Sequence, residues 1–253
     1  MDLKSKVVMI TGAGGPMGKA IAKRFYEEDA KLVLTDISEN RLLQTIDMLT
    51  DENGSNKNIF YLRSDVLNKK EIKEVVNKAI GIYKKIDILV NIVGGIRAKK
   101  MDQPILEMEN ERWDQTMDLN LKGGINCIKL IAPQMIESES GKIINISSIN
   151  FAGEPGYADY GAAKAAVASF TKTAAMELGP YINVNCIAPA VIQTSVLDRM
   201  DKETLDYYRD RTLLKRLGKP EDVANTALFL ASNQSDYITG EIIAVSGGVS
   251  PHL

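Results

Sequence analysis

Tyr160 and Lys164 are four residues apart in the alanine-rich segment YADYGAAKAAVASF, whose helical periodicity would place both side chains on one helix face. A tyrosine has a pKa of about 10 and is a poor proton carrier at neutral pH. Lowering that pKa by about three units takes roughly 4 kcal/mol. An ammonium about 4 Å away in a partly screened site can supply that much. Lys164 is therefore sufficient, in principle, to make Tyr160 a usable general acid and base. By spacing alone, the two residues could instead be a solvated pair on a helix surface.

Two hydroxyls, Ser147 and Ser148, end the apolar run KIINISS just upstream of this pair. The carboxyl end of a strand in a parallel sheet is where ligands bind. A serine at that position could donate a hydrogen bond to a substrate oxygen while Tyr160 transfers a proton. The run therefore adds a second catalytic group, which either serine could provide.

A glycine-rich stretch, TGAGGPMG, follows a short apolar run near the N-terminus. Gly12, Gly15 and Gly18 would allow a tight turn and a close approach to a phosphate. The usual GxGxxG spacing fails, because Met17 stands where the third glycine should fall. Pro16 falls near the first position of the next helix, where its missing N–H costs little. The helix N-terminus would face a pyrophosphate, with the Met17 N–H as a donor.

The next apolar run, KLVLTD, ends in Asp36. A carboxylate there can accept hydrogen bonds from the adenosine ribose hydroxyls and repels the 2′-phosphate of NADP, so NAD is favoured. Arg41, the nearest cation that could weaken this repulsion, lies inside the following predicted helix. Asp36 could instead merely end a strand. The order of strand, glycine loop, helix, strand and acid favours a cofactor site.

The elements that must position these residues alternate regularly along the 253-residue chain. Strands are predicted at 6–11, 31–36, 58–64, 86–93, 142–147, 182–187 and 241–245. Helices are predicted at about 17–28, 39–49, 69–83, 109–136, 157–178 and 220–231. This pattern predicts one α/β domain over residues 1–253, a Rossmann-like, doubly wound parallel sheet of about seven strands with helices on both faces. The charge-rich segment 193–219 is expected to form a substrate lid.

Composition excludes several classes of function. The net charge is −2 with both signs interspersed, which disfavours a nucleic-acid or anionic-membrane surface. No apolar run approaches the roughly 18 residues of a membrane span, and the N-terminus lacks a signal-peptide pattern. Cys127 and Cys186 read as buried hydrophobes in a reducing compartment, so a cytoplasmic protein is expected. His252 is the single histidine, which argues against a histidine triad or a metal site built from several histidines, and no metal is expected.

Together these stretches resemble the short-chain dehydrogenase/reductases, in their roughly 250-residue branch. The resemblance covers nearly the whole chain. It rests on TGAGGPMG, Asp36, the pair Asp65-Val66, NIVG at 91–94, LNLKGG around Asn120, Ser148, YGAAK at 160–164, APAVIQT at 188–194 and the C-terminal section.

The resemblance implies a role for each matching residue. Tyr160 would be the acid and base, while Lys164 would lower its pKa and hold the nicotinamide ribose. Ser148 would polarise the substrate C–O group, and Asn120 would anchor a water that links Lys164 to solvent. The remaining cofactor contacts would be made by Asp65 and Val66 beside the adenine, Asn91 against the adenosine ribose, and Ile192 and Thr194 at the nicotinamide carboxamide and phosphate. A homotetramer, or a homodimer, is also implied.

Three of these residues have ordinary structural alternatives. Asn120 could be a polar helix residue, Thr194 a turn hydroxyl and Asp65 the N-cap of the next helix. The chain also departs from the family pattern, because NIVG stands where NNAG is usual and Ala190 replaces a glycine. The first change is expected to alter packing rather than to abolish binding, and the second to restrict the backbone slightly.

The glycine loop and the catalytic serine each involve a choice between two family patterns. The loop matches TGxxGxxG, the spacing of the family's longer branch, with Pro16 in place of a glycine of the shorter branch. The family's usual spacing to the tyrosine selects Ser147, whereas matching the strand residue by residue selects Ser148. Ser148 is preferred, because a loop absorbs a deletion more readily than a strand changes phase.

The predicted function is NAD-dependent hydride transfer between the cofactor and a secondary alcohol or ketone. An NAD-using epimerase or dehydratase and a non-catalytic NAD-binding sensor are the alternatives, and the intact catalytic residues disfavour the sensor. Asn150, Glu154 and Tyr157 would touch the substrate, and their polarity favours a sugar-like, polyol or hydroxy-acid substrate over a steroid. The basic stretch RAKK at 97–100 could bind an anion or could be a solvated loop.

Overall fold

A computed structural model of the chain describes residues 3–50, 58–98, 100–195 and 197–249. One parallel sheet contains strands β1 (Val7–Thr11), β2 (Lys31–Thr35), β3 (Ile59–Tyr61), β4 (Ile88–Asn91), β5 (Gly141–Ile146), β6 (Ile182–Pro189) and β7 (Ile242–Val245). Its seven strands lie in the order β3-β2-β1-β4-β5-β6-β7. The predicted Rossmann-like, doubly wound sheet is confirmed.

Helices cover both faces of this sheet. They are α1 (Pro16–Tyr26), α2 (Glu39–Thr50), α3 (Lys69–Tyr83), α4 (Asn110–Met117), α5 (Gly123–Glu137), α6 (Ala158–Leu178), α7 (Lys202–Arg211) and α8 (Pro220–Ala231). Alternate strand residues point to opposite faces, so Val8 and Ile10 pack with α1, α2 and α8. Val7 and Met9 pack on the other face with α3, α5 and α6. The strands are therefore apolar on both sides, as their sequences predicted.

Two helical regions differ from the sequence prediction. The single helix expected over 109–136 is divided by a π-helical turn, Asp118–Lys122, between α4 and α5. Helix α7 lies within the expected lid and was not predicted, because none of its side chains is buried and the segment has no apolar periodicity. Its N-terminus is capped by Asp201, whose side chain accepts from the Thr204 N–H at 2.7 Å.

The strand order reverses direction at β1, which has β2 on one side and β4 on the other. A crevice opens at the carboxyl ends of the strands at such a switch point. The glycine loop after β1 and the segments that follow β4 and β5 all leave the sheet at this edge. No helix within the described ranges is long and apolar enough to cross a membrane.

Candidate active site

A groove of about 360 Å³ runs along the carboxyl ends of β1, β2 and β4. The predicted cofactor residues that line it are Gly12, Gly15, Met17, Gly18, Asp36, Asp65, Val66 and Thr194. Gly12 has a φ of +69°, which favours glycine, and a Cβ on Gly18 would collide with the carbonyl oxygen of Gly12. Pro16 occupies the start of α1, and no side chain caps that helix. Its first N–H groups are thus available to an anion in the groove.

Asp36 follows β2 directly and is 5 % exposed. Its Oδ2 accepts from the Gly14 N–H at 3.0 Å, and its Oδ1 accepts from the Ser38 N–H at 2.9 Å. Arg41 lies in α2 as predicted, yet its guanidinium folds back and donates to Oδ1 at 2.9 Å. Arg41 also lines the groove. The carboxylate therefore faces the groove with part of its charge compensated.

These features fit a nicotinamide dinucleotide. The groove combines an uncapped helix N-terminus for a pyrophosphate with a carboxylate at the end of the next strand for a ribose. A Cβ on Gly14 would lie 2.7 Å from Arg41 Cβ and 3.1 Å from Asp36 Cγ, so the loop packs tightly against this acidic end. The described residues hold no cluster of metal-ligating side chains.

A second cavity, of about 180 Å³, adjoins the groove. Both spaces are lined by Met17, Gly95, Ile96 and Thr194, so they form one continuous crevice. The second cavity contains Tyr160, and none of the described side chains that line it is charged. The groove that fits a dinucleotide and the cavity that contains Tyr160 thus meet in one place.

The two candidate serines have different environments. Ser147 is 2 % exposed and donates through Oγ to the carbonyl oxygen of Lys164 at 2.8 Å, so its hydroxyl is engaged inside the fold. Ser147, Ser148 and Tyr160 all line the cavity, but the Ser148 hydroxyl donates only a long hydrogen bond, of 3.5 Å, to the carbonyl oxygen of Pro189. Ser148 Oγ also accepts from the Asn150 N–H at 3.2 Å. The geometry supports Ser148 as the serine that can reach a substrate.

Lys164 lies beneath the junction of the two spaces. It is 2 % exposed, and its Nζ donates to the carbonyl oxygen of Ile146 at 2.9 Å. A Cβ built on Gly94, which lines the groove, would lie 2.9 Å from this Nζ. The ammonium is therefore directly below the groove floor.

The expected lowering of the Tyr160 pKa by Lys164 is not found in this structure. Burial raises the pKa of Tyr160 to about 12, and the Ser148 hydroxyl opposes this only in part. Burial also lowers the pKa of Lys164 to about 8. Lys164 Nζ is 5.5 Å from the centroid of the Tyr160 ring and is bonded to a carbonyl. Desolvation of the phenol therefore outweighs the nearby ammonium.

Asn120 lies in the π-helical turn and is 5 % exposed. Its Nδ2 donates to the carbonyl oxygens of Gly95 at 2.9 Å and Thr116 at 2.8 Å, and its Oδ1 accepts from the Gly95 N–H at 2.8 Å. This amide clamps the backbone of a residue shared by the groove and the cavity. Its implied role in anchoring a water beside Lys164 stays a prediction.

Asp65 and Asn91 have surroundings that the sequence did not reveal. Asp65 lines the groove but is not the N-cap of α3, because Asn68 accepts the capping hydrogen bonds. Asn91 is buried below the groove, where its Nδ2 donates to Asn145 Oδ1 at 3.0 Å. Its Oδ1 has no hydrogen-bond partner among the described residues. Asn91 is not among the groove-lining side chains, although the resemblance implied a ribose contact.

The remaining predicted substrate contacts are distributed unevenly. Asn150 and Tyr157 line the cavity that holds Tyr160. Ile192, implied by the resemblance as a cofactor contact, lines this cavity rather than the groove. Glu154 does not line it and instead pairs with Arg211 of α7 at 3.3 Å. In the basic stretch at 97–100, Arg97 lines the cofactor groove rather than the substrate cavity. Lys99 and His252 lie outside the described residues.

Sequence reasoning missed several side chains of the substrate cavity. Met101, Met200 and Tyr208 line it, beside the predicted Tyr157. Leu197 and Met200 come from the segment expected to form a lid. No local pattern marks these residues, because loops distant in sequence bring them together.

Comparison with known proteins agrees with this geometry. A family model described as enoyl-(acyl carrier protein) reductase matches residues 12–250. The 3-oxoacyl-[acyl-carrier-protein] reductase FabG of Thermotoga maritima is 39% identical over 252 residues, 98% of this chain and 99% of that protein. A short-chain type dehydrogenase/reductase from Mycobacterium ulcerans has a TM-score of 0.90 at 29% identity, over 98% of this chain and 91% of that one. A 3-oxoacyl-[acyl-carrier protein] reductase with bound NAD from Brucella melitensis has a TM-score of 0.87 at 31% identity, over 97% of this chain and 91% of that one.

Proposed function

The chain belongs to the short-chain dehydrogenase/reductase family of oxidoreductases, and we propose that it transfers a hydride between NAD and a secondary alcohol or ketone. Tyr160 is the proton carrier in this proposal. The observation that carries it is the meeting of Tyr160 and Ser148 in one cavity that joins the groove beside Asp36. A protein that only senses NAD has no use for a proton donor at that junction.

The side chains divide the proton chemistry between them. With a pKa raised to about 12, Tyr160 is protonated at neutral pH and can donate to a ketone oxygen as that oxygen gains charge. Ser148 donates a hydrogen bond to the same oxygen, and the Lys164 ammonium stabilises the phenolate that is left. A bound nicotinamide supplies the hydride in reduction, accepts it in oxidation and carries a positive charge when oxidised. Alcohol oxidation needs the phenolate and is therefore favoured as pH rises.

The cofactor is held by the groove in this proposal. The glycine loop and the Met17 N–H receive the pyrophosphate, and Asp36 accepts from the adenosine ribose. Asp65 and Val66 flank the adenine, while Thr194 contacts the nicotinamide end. NAD is preferred because the Asp36 carboxylate disfavours a 2′-phosphate, although Arg41 reduces this discrimination.

The substrate is a ketone or secondary alcohol that carries no charge close to the reacting carbon. The uncharged, methionine-containing lining of the cavity supports this choice over the hydroxy acids suggested by the polar residues of the sequence. The Thermotoga maritima and Brucella melitensis relatives compared above are 3-oxoacyl-[acyl-carrier-protein] reductases by name. Uncharged 3-oxoacyl thioesters are therefore the first substrates to test.

The test is the absorbance of the reduced nicotinamide during incubation with 3-oxoacyl thioesters, simple ketones, polyols and hydroxy acids. Each compound is tested with NADH and NADPH, or with NAD and NADP for the alcohols, and with Tyr160→Phe as the matched control. Turnover of an uncharged ketone that Tyr160→Phe does not catalyse supports the proposal. Tight NAD binding without turnover of any compound would favour a sensor. Product formation without net cofactor change would favour an epimerase.

Two further features belong to the same proposal. The protein acts in the cytoplasm, and it assembles as a homotetramer or, failing that, a homodimer. Sedimentation of the purified protein measures the assembly, and a monomer at micromolar concentration would contradict it.

A further inference from the structure

Arg112 is a nearly buried cation that the proposed chemistry does not use. It lies on α4, and its side chain is 10 % exposed. Its Nε donates to Asp159 Oδ2 at 2.9 Å. Asp159 is fully buried in the first turn of α6, one residue before Tyr160. The guanidinium therefore touches the helix that carries the proton donor.

The other nitrogens of Arg112 hold the segment that follows β4. Nη1 donates to the carbonyl oxygen of Lys100 at 3.0 Å and to Gln103 Oε1 at 3.1 Å, and Nη2 donates to the carbonyl oxygen of Met101 at 2.7 Å. The side chain of Met101 lines the substrate cavity, and so does Ile96 of the same segment. We call residues 95–98 and 100–103 the wall segment. Arg112 thus joins the wall segment to the helix of Tyr160.

A second contact fixes the same geometry. The Gln103 N–H donates to the carbonyl oxygen of Gly156 at 2.8 Å, just before α6 begins. Gln103 therefore bonds both to the start of the catalytic helix and to Arg112. The wall segment is held at both its Met101 and its Gln103 positions, whereas its first residue is held by Asn120.

The buried carboxylate of Asp159 is a destabilising partner for a contact whose role is only structural. Asp159 Oδ2 also accepts from Thr116 Oγ1 at 2.9 Å, but Oδ1 is buried with no hydrogen-bond partner among the described residues. Burial by itself raises the pKa of Asp159, but the hydrogen bonds from Arg112 and Thr116 outweigh it and hold the pKa below its usual value. Well-packed apolar residues are often at least as stable as such a buried pair. Its cost is consistent with a role in positioning.

We infer that Arg112 is a positioning residue that sets substrate selectivity, because it fixes the distance between the wall segment and Tyr160. The side chain of Met101 then limits the length of the substituent that an accepted ketone can carry. Among the described residues Arg112 donates no hydrogen bond to a groove-lining residue. Gly95, where the wall segment meets the groove, is held by Asn120 instead, so cofactor affinity should depend little on Arg112. The inference rests on the proposed function of the cavity as the ketone site.

The main variant is Arg112→Leu with Asp159→Leu, which removes both charges without leaving one unpaired. Arg112→Lys keeps a cation for Asp159 but lacks the planar fork that reaches both carbonyls. Arg24→Leu is the matched control, because Arg24 also joins two helices, through Asn225 at 3.3 Å, but lies away from both cavities. The measurements are the dissociation constant of NADH, and kcat and KM over a series of ketones of increasing chain length.

In the double variant we expect the NADH dissociation constant to stay within about twofold of the wild-type value. The kcat for the shortest ketone should stay within about threefold of the wild-type value. KM for the preferred ketone rises at least about tenfold, and the chain-length preference becomes flat. Arg112→Lys shows the same flattening, whereas Arg24→Leu keeps the wild-type profile. A purely structural role would instead lower the activity on all ketones by a common factor.

An unchanged chain-length profile in a double variant that binds NADH normally would overturn the inference and leave the proposed function intact. If the double variant does not bind NADH, the chain-length profile of Arg112→Lys provides the test: an unchanged profile in that variant would overturn the inference. A wild-type protein that turns over no ketone would defeat the proposed function, and the inference with it.

Discussion

The cofactor groove and the substrate cavity share Met17 and Thr194 but are built differently. The groove is formed by groups that follow strands directly, such as Gly12 after β1 and Asp36 after β2. The walls of the cavity come from segments far apart in the chain and are held by side chains such as Arg112. Backbone geometry therefore defines the cofactor site, whereas long-range packing defines the substrate site. Variants in the two regions should fail in different ways.

The largest effect is expected at the junction of the two regions. Tyr160→Phe removes the proposed proton carrier and should lower kcat about 10³–10⁴-fold in both directions. The dissociation constant of NAD should change less than about threefold, because the ring remains. Tyr237→Phe, on a fully exposed tyrosine, is the control. A loss in kcat below about tenfold would remove Tyr160 from the chemistry.

A small change in the groove should act on the cofactor alone. Gly18→Ala places a methyl group against the carbonyl oxygen of Gly12, so the loop must shift. NAD affinity should fall about 100-fold, or roughly 2.7 kcal/mol, as measured by titration calorimetry. Gly81→Ala is the matched control, because a Cβ there meets nothing within 4 Å. Equal affinities for the two variants would show that the loop is not the cradle.

Variants at the two adjacent serines should distinguish an effect on catalysis in the cavity from an effect on the stability of the fold. Ser148→Ala should lower kcat about 30-fold, because the substrate oxygen loses a hydrogen-bond donor. Ser147→Ala should change kcat less than about fivefold and lower the free energy of unfolding by about 1 kcal/mol, because its bond to the Lys164 carbonyl is lost. A larger kcat loss for Ser147→Ala would reverse the assignment.

The buried ammonium of Lys164, below the junction of the groove and the cavity, should lower the stability of the folded protein at neutral pH. Its pKa is lowered from 10.5 to about 8 by burial, so the desolvation penalty is fully present below pH 8. Between pH 8 and 10.5 the unfolded state binds more protons, and the stability of the wild type rises. At pH 7 Lys164→Met should therefore be inactive yet more stable, by about 2 kcal/mol.

Chemical denaturation at pH 7 and pH 10 measures this effect. The advantage of Lys164→Met over the wild type should shrink at the higher pH, because the wild-type lysine is by then largely neutral in the folded state. A variant that is less stable at pH 7, or an advantage independent of pH, would contradict the account of a desolvated ammonium.

The smallest effect is expected from the cation that faces the groove. Arg41→Ala leaves the Asp36 charge uncompensated and frees an acceptor position on Oδ1. The ratio of the NADP to the NAD dissociation constant should rise about fivefold. Fluorescence titration with both cofactors measures this ratio, and Arg24→Ala is the control. A fall in the ratio would show that Arg41 opposes NADP rather than tolerating it.

The same contrast explains how far the sequence predicts the structure. The strands and the glycine loop were predictable because each buried strand is apolar on both faces and each functional group follows one at a short distance. The division of the expected long helix at Asn120 was not predictable, because a π-helical turn hardly alters the apolar periodicity. Helix α7 buries no side chain, and Arg112 and Asp159 are 47 residues apart, so no local pattern reveals the cavity wall. The pKa of Tyr160 likewise depends on burial that spacing does not report.

The most direct test of the central claim is the transfer of deuterium to a ketone of the substrate panel from NADH that carries deuterium at both C4 positions, so that the label moves whichever face is used. The account predicts that the product alcohol carries deuterium on its carbinol carbon, that NAD forms in equal amount, and that Tyr160→Phe abolishes both. An isomerised product without net NAD formation, or no labelled alcohol from any ketone, would contradict it.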